Sequence, residues 1–218
     1  MKPRVHNLVS YCGAFLVFAL VLGWRWSTRQ ASWQPSLALS AGASMWLLHF
    51  ARRAAESAWV HRYAKPGVPL GDVLVEYVYY WGFALWNALS LSSPNYHGPT
   101  SAVVLSAALV FGLAELGNAR AHRMLRDLRA PGSAARVVPR GFLFEHVSCP
   151  HYLCEILSWV GFALATQTWA ALGFLLVGSG ILAAWARTRH LAYLKEFDGS
   201  EGRELYPSTR RALIPGIF

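Results

Sequence analysis

Residues 144–155, FEHVSCPHYLCE, bring Glu145, His146, Cys149, His151, Tyr152, Cys154 and Glu155 to the mouth of the apolar run ILSWVGFALA. Ionisable side chains at membrane depth are costly, and by default they mark a functional site. Pro150 suits the first position of a helix, where its missing N–H costs nothing. In that helix Tyr152, Glu155 and Trp159 share a face by i, i+3, i+7 spacing, and His151 and Glu155 share one by i, i+4. One wall then offers a phenol, a carboxylate and an imidazole. The Tyr152 hydroxyl could donate to a carbonyl whose charge grows in a transition state. Glu155 would orient a neighbour or bind a cofactor amide. Interfacial anchoring by Tyr152 and an ordinary polar network are the competing readings. The combination favours Tyr152, Glu155 and His151 as catalytic candidates.

A second constellation lies upstream. Glu115, Asn118, His122, Arg126 and Arg129 are spaced 3, 4, 4 and 3, so at about 3.6 residues per turn they fall on one helix face. A stripe of Asn, His and Arg leaving a membrane helix suits a large anionic ligand, because guanidinium matches phosphate bidentately. Positive-inside topology and anionic lipid heads are the alternative. That alternative is preferred for Arg123 and Arg140, and ligand binding for Asn118, Arg126 and Arg129. Pro131-Gly132 and Pro139-Arg140-Gly141 are turn signals that fold this basic segment back towards residue 150. Further along, RTRHLAYLK carries Arg189, His190, Tyr193 and Lys195, with Arg189 and Tyr193 at i, i+4. His146, Cys149, His151, Cys154 and Glu155 are zinc-ligand types, but their spacing matches no standard zinc pattern, so no metal is expected. Gly178-Ser179-Gly180 lacks the context of a dinucleotide fingerprint and reads as close helix packing. Glu76 with Tyr77, Tyr79, Tyr80 and Trp81 could line a pocket or simply pack.

These residues need helices to hold them. The chain has 218 residues, 55% of them hydrophobic, with a net charge of +9. Six apolar runs approach the roughly 20 residues that cross a bilayer: 8–24, 35–50, 73–91, 101–116, 151–165 and 169–186. The second continues as an amphipathic helix through Arg52, Arg53 and Glu56 to about residue 60. Trp24, Trp26, Trp33 and Trp169 fall at span ends, where indoles favour the headgroup level. Lys and Arg crowd into 52–65, 120–140 and 187–211, while 93–100 and 166–168 have none. The positive-inside rule then places both termini in the cytoplasm, with only Arg25 and Arg29 on the other side. Cys12, Cys149 and Cys154 imply no disulfide framework. The expectation is an all-α, multi-pass integral membrane protein of about six spans, one domain over 1–218, with its site facing the cytoplasm.

Asn118 with LRDLRAPG (125–132), then LFEHVSCPHYLCEILSWVGFALAT (143–166), HLAYLKEF (190–197) and the closing RRALIPGIF resemble the C-terminal region of the steroid 5α-reductase family. WVHRYAKPGVPL (59–70) and YYWGFALW (79–86) resemble its very-long-chain trans-2-enoyl-CoA reductase branch. The resemblance spans roughly residues 45–218 and is most specific from about 100 onwards. It implies a membrane reductase that uses NADPH to saturate a carbon–carbon double bond conjugated to a carbonyl. The substrate would be an apolar lipid, acyl-CoA or steroid, with membrane lipids as the other partners and no nucleic acid. Tyr152 matches the family's proposed catalytic acid. Asn118, Arg126, Arg129 and Glu155 match cofactor-contacting or structurally essential positions, and His190, Tyr193 and Lys195 match a tail motif that closes over the cofactor. His122, Arg136 and Arg189 complete the cofactor-binding candidates. His151 stands where many relatives have Asn. The Gln-Glu pair of steroid reductases has no match around residues 10–16, which counts against a steroid, and the ubiquitin-like N-terminal region of eukaryotic enoyl-CoA reductases has no match either, so enoyl-CoA, steroid and polyprenol-like lipid all stay open. An S-adenosylmethionine-dependent methyltransferase of the isoprenylcysteine carboxyl methyltransferase type would share the Pro-His-Tyr helix entry but needs no phosphate clamp. A non-catalytic lipid-binding protein would leave the Asn118–Arg129 stripe unexplained.

Overall fold

The computed structural model describes residues 1–28, 35–63, 67–128 and 137–218. They form six α-helices and no named strand: α1 Pro3–Ser27, α2 Leu37–Trp59, α3 Leu70–Leu91, α4 Ser101–Asp127, α5 Pro150–Thr166 and α6 Trp169–Glu196. Short 3₁₀ turns occupy Phe142–Glu145 and Ser200–Gly202. The expected all-α class holds, and α2 does run on past its apolar part to Trp59. Two other helices outrun their apolar cores. α4 continues to Asp127 and α6 to Glu196, so both carry their polar residues on unbroken helix.

Local chemistry sets the helix ends. The Ser36 hydroxyl accepts from Leu39 N at 3.1 Å and caps α2. Thr168 does the same for α6 through Ala171 N at 3.1 Å. Pro150 opens α5 as its spacing suggested. Gln167 closes α5 in a left-handed conformation at φ 47°, which turns the chain directly into α6.

α2 lies against α1, α4 and α5, and its Trp46 is the hub of the apolar core. The Trp46 ring is fully buried, stacked on Phe18 at 5.3 Å and tilted against Phe50, Trp159, Phe162 and Phe174 at 4.9–5.6 Å. Its indole N–H donates to the Ala14 carbonyl at 3.2 Å. The opposite surfaces of the helices are apolar and open. Leu20, Val78, Leu105, Leu109, Leu113, Leu116 and Leu176 are all exposed. Such an outward-facing hydrophobic band suits lipid. α1, α4 and α6 are long and apolar enough to cross a membrane. α5, at 17 residues, is short of a full span, and α2 spends its second half on charged residues.

α4 and α5 approach backbone to backbone. A Cβ at Gly161 would stand 2.8 Å from the Ala107 carbonyl oxygen and 2.9 Å from Phe111 N. Gly178 likewise lies under the Tyr79 hydroxyl, whereas Gly180 faces open space, so only the first glycine of the Gly-Ser-Gly run packs closely. Because the atoms around Gly161 are main chain, they cannot move aside cheaply. Gly161→Ala should therefore cost about 1–3 kcal/mol, read as a lowered thermal midpoint in detergent. An unchanged midpoint would show that the two helices separate freely.

Candidate functional site

The second half of α2 builds a buried ionic cluster. His49, Arg52, Arg53 and Glu56 recur on the face turned to α4 and α5. Arg53 is 7% exposed. Its Nη1 donates to Glu56 Oε2 at 2.6 Å and to His122 Nε2 at 3.0 Å, and its Nη2 donates to the Tyr11 hydroxyl of α1 at 3.1 Å. Arg52 joins Glu56 at 2.5 Å and Glu115 at 2.7 Å. His49 Nδ1 meets Glu115 Oε1 at 2.8 Å, and its Nε2 lies 3.9 Å from Glu155. A buried charge must be matched by partners of this kind, since an unmatched one is far costlier. The sequence reading missed this cluster as a site because Arg52 and Arg53 also serve as topology signals. The spacing His49, Arg52, Arg53, Glu56, together with Glu115 on the facing helix, was the available clue.

The α4 stripe divides. Glu115, Asn118 and His122 reach α2 and α5. Asn118 is fully buried, and its amide donates to the His151 carbonyl at 2.7 Å and to Glu155 Oε2 at 3.3 Å. Arg126 is not brought in. Past His122 the helix has outrun its neighbours, and Arg126 pairs with Asp127 at 2.8 Å on the surface. Arg129 and Arg136 lie outside the described residues.

The α5 wall also divides. Glu155 turns to Asn118 and His49. Tyr152 turns to α6, beside Trp185 at 6.2 Å and with the Arg189 guanidinium 5.4 Å over its ring. The phenol and carboxylate therefore do not share a wall, because 60° of helical rotation is enough to give them different neighbours. His151 connects them: its ring lies 4.2 Å from that of Tyr152 and 5.4 Å from that of His122. His190 is apart from this group. Its Nδ1 sits 2.7 Å from Ser148 Oγ, which also meets the Tyr206 hydroxyl at 2.7 Å. Tyr193 stacks on Tyr206 at 5.2 Å, and Lys195 is exposed.

Residues 210–213 clasp the entry to α5. Ser148 N and Cys149 N donate to the Arg211 and Ala212 carbonyls at 2.8 and 3.2 Å. Arg210, 1% exposed, donates to the Pro139 carbonyl at 2.7 Å and to Glu145 at 3.2 Å. The Gly141 N–H, then Arg210, hold the Glu145 carboxyl below the usual range. Burial pushes the Cys149 thiol up to about 12, so it stays protonated and is no nucleophile.

Among the described residues, Glu56, His61 and His122 bring one ligand-type atom each within 4.8 Å of one another. Arg53 Nη1 already bonds both Glu56 and His122, so a guanidinium stands where a metal cation would have to fit. The group suits an organic cofactor better. Asn118 Oδ1 and His151 Nδ1 are buried without a hydrogen-bond partner, which is the kind of pairing a carboxamide satisfies.

His61 follows α2, with its side chain 17% exposed. Burial, reinforced by Arg53, lowers its pKa from 6.5 to about 4. The folded pKa is the lower one, so the unfolded chain takes up the proton first as pH falls. His61 thus subtracts stability progressively between about pH 6.5 and 4. His61→Gln should give a shallower loss of thermal midpoint over that window. Identical slopes for the two proteins would contradict a buried neutral imidazole.

The family model described as 3-oxo-5-alpha-steroid 4-dehydrogenase matches residues 71–218. The chain is 32% identical over 223 residues to a putative enoyl reductase of Schizosaccharomyces pombe, covering 97% of this chain and 71% of that one. It is 38% identical to a very-long-chain enoyl-CoA reductase of Dictyostelium discoideum, covering 78% of this chain and 55% of the relative. It is 39% identical over 114 residues to the steroid 5-alpha-reductase DET2 of Gossypium hirsutum, covering 52% and 42% respectively. The chain thus spans little more than half the length of the Dictyostelium relative. The matched region contains α4, α5, α6 and the clasping tail, and the chain belongs to the steroid 5-alpha-reductase family.

Proposed function

We propose that this protein is an integral membrane reductase that saturates a carbon–carbon double bond conjugated to a carbonyl in a lipid substrate, with NADPH as reductant. The observation that carries the reading is the placement of Tyr152. Its ring is buried at the start of α5, between His151 and the Arg189 guanidinium. A phenol in that position can donate to a substrate carbonyl while a nearby cation favours the charge that develops. The names of the enoyl-CoA reductase relatives support an enoyl thioester as substrate. The exposed apolar surfaces of α4 and α6 support entry from the lipid side.

NADPH would supply the hydride. Asn118 and His151 would hold its carboxamide through their unpartnered atoms. Glu155, bonded to Asn118, would fix that amide's orientation. Arg126, Arg129, Arg136, Arg189 and Lys195 would meet the phosphates on the cytoplasmic side, with His190 and Tyr193 bracing the tail over them. Arg126 can leave Asp127 for a phosphate, because a solvent-exposed ion pair holds its side chains only weakly. A six-span arrangement with both termini in the cytoplasm would put all of these residues at one membrane face.

Two experiments test this. Tyr152→Phe removes one oxygen and keeps the ring. It should leave NADPH binding intact and lower kcat by roughly 100-fold, and turnover within about threefold of wild type would deny Tyr152 a catalytic role. In the same assay NADPH should bind more tightly than NADH, because the basic residues exceed what a pyrophosphate needs, and equal affinities would refute the phosphate-clamp assignment. For topology, a cysteine placed at Ser93 should label from the non-cytoplasmic side and one at Glu204 from the cytoplasmic side. Labelling of both from one side would overturn the six-span arrangement.

A further inference from the structure

On the outer side of α4, where it passes α2, the surface sinks into a furrow of about 450 Å³. Ala108, Gly112, Leu116 and Ala119 lie along it, and Arg52 and Glu115 stand towards its Ala119 end. A Cβ built on Gly112 would meet nothing within 4 Å, so the trough is open above that residue. Leu109, Leu113 and Leu116 are exposed beside it, and the furrow therefore opens on the apolar surface that suits lipid. From Ala108 to Ala119 it follows about 16 Å of helix axis. The hydrocarbon core of a bilayer is roughly 30 Å thick, so the furrow is about as deep as one leaflet.

Its two ends differ in chemistry. The Ala108 end is apolar. Towards the other end Arg52 reaches in from α2, with its side chain 20% exposed. Arg52 Nη1 is spent on Glu56 and Nε on Glu115, but Nη2 is buried without a hydrogen-bond partner. A buried donor left unpaired is costly, so an acceptor brought to it gains more than on open surface. One turn past Ala119 stands Arg123, on the same face as Gly112, Leu116 and Ala119 by 4, 3, 4 spacing. Arg123 is exposed, and its Nε donates to the Ala119 carbonyl at 3.3 Å, which holds the guanidinium at the mouth. Glu56 and Glu115 offset Arg52 and Arg53. Arg123 therefore leaves the mouth with positive charge in excess.

We propose that this furrow binds one anionic phospholipid, with an acyl chain laid along α4 and the phosphate between Arg52 and Arg123. An apolar trough one leaflet deep, ending in an unpaired guanidinium donor and an uncompensated cation, matches an acyl chain joined to a phosphate. A headgroup without an amine fits best, since an ammonium would face Arg123. The enoyl substrate is the other amphiphile to weigh. It must bring its double bond to Tyr152, which turns to α6, whereas among the described residues none of α5 or α6 lines the furrow beside Arg52. A phosphate oxygen on Nη2 would complete the bonding of Arg52. The lipid would then brace the pairs to Glu56 and Glu115, and with them the contact of α2 with α4.

The purified full chain in neutral detergent, titrated with phosphatidylglycerol or phosphatidylcholine, tests the site. Native mass spectrometry counts bound lipid, and the thermal midpoint is followed in parallel. One phosphatidylglycerol should be retained in preference to phosphatidylcholine, and the midpoint should rise with it. Gly112→Leu fills the furrow where a Cβ meets no neighbour and brings in a better helix former, so it should fold and lose the bound lipid. Arg123→Gln should weaken phosphatidylglycerol binding about fivefold at low salt and bring the affinities for the two lipids together. A merely structural role for either residue would shift the lipid-free midpoint and leave lipid binding as in wild type. Equal retention of the two lipids, undiminished binding in Gly112→Leu, or a midpoint rise matched by inorganic phosphate alone overturns the proposal. Displacement of the phospholipid by an equimolar enoyl thioester also overturns it, and would make the furrow a substrate entrance. None of these measurements uses turnover, so failure here leaves the reductase reading to its own tests.

Discussion

A guanidinium buried inside a helical bundle dictates most of this structure. Arg53 cannot be hydrated where it lies, so its charge must be met by protein groups. Tyr11 from α1, Glu56 one turn along α2 and His122 from α4 do this. Each recruited group fixes the rotation of the helix that carries it. Arg52 extends the arrangement to Glu115, and His49 extends it towards Glu155. The faces that α1, α4 and α5 turn to α2 follow from one cation and the acceptors it needs. A cluster of this kind contributes little net stability against a well-packed apolar substitute. Its value lies in excluding other helix rotations, since each would strand a charge.

α2 is therefore two helices in one. Its first half carries Trp46 and Phe50 into an aromatic core, and its second half carries the ionic cluster. His49 sits at the change, with one face 4.4 Å from the Trp159 ring and its nitrogens directed to Glu115 and Glu155. An imidazole serves both environments, being a flat apolar surface with polar edges. The same boundary crosses α5, where Trp159 belongs to the core and Glu155 to the cluster. Polar chemistry is thus confined to one end of the bundle and a largely apolar body to the other.

Much of this was legible in the sequence. Long apolar runs and Pro150 marked the helices, and the crowding at 144–155 marked the candidate site. What pairwise spacing could not supply was reach. Arg126 shares a face with Asn118, but the helix has left its neighbours by that point, so the same face looks on a packed helix at one end and on open surface at the other. Tyr152 and Glu155 are three residues apart, yet one meets α6 and the other α4. The ionic half of α2 escaped notice for a different reason: arginines near a membrane boundary have a sufficient explanation in topology. Only the facing carboxylate of Glu115 separates the two meanings, and that requires knowing which helices touch.

The clasp of residues 210–213 on the entry to α5 bears on how the molecule is assembled. The backbone donors of Ser148 and Cys149 find their acceptors some 60 residues later in the chain. α5 can form as soon as it is made, but the two residues that lead into it keep unsatisfied N–H groups until α6 and the tail have followed. The polar end of the helix is thereby finished after its apolar end.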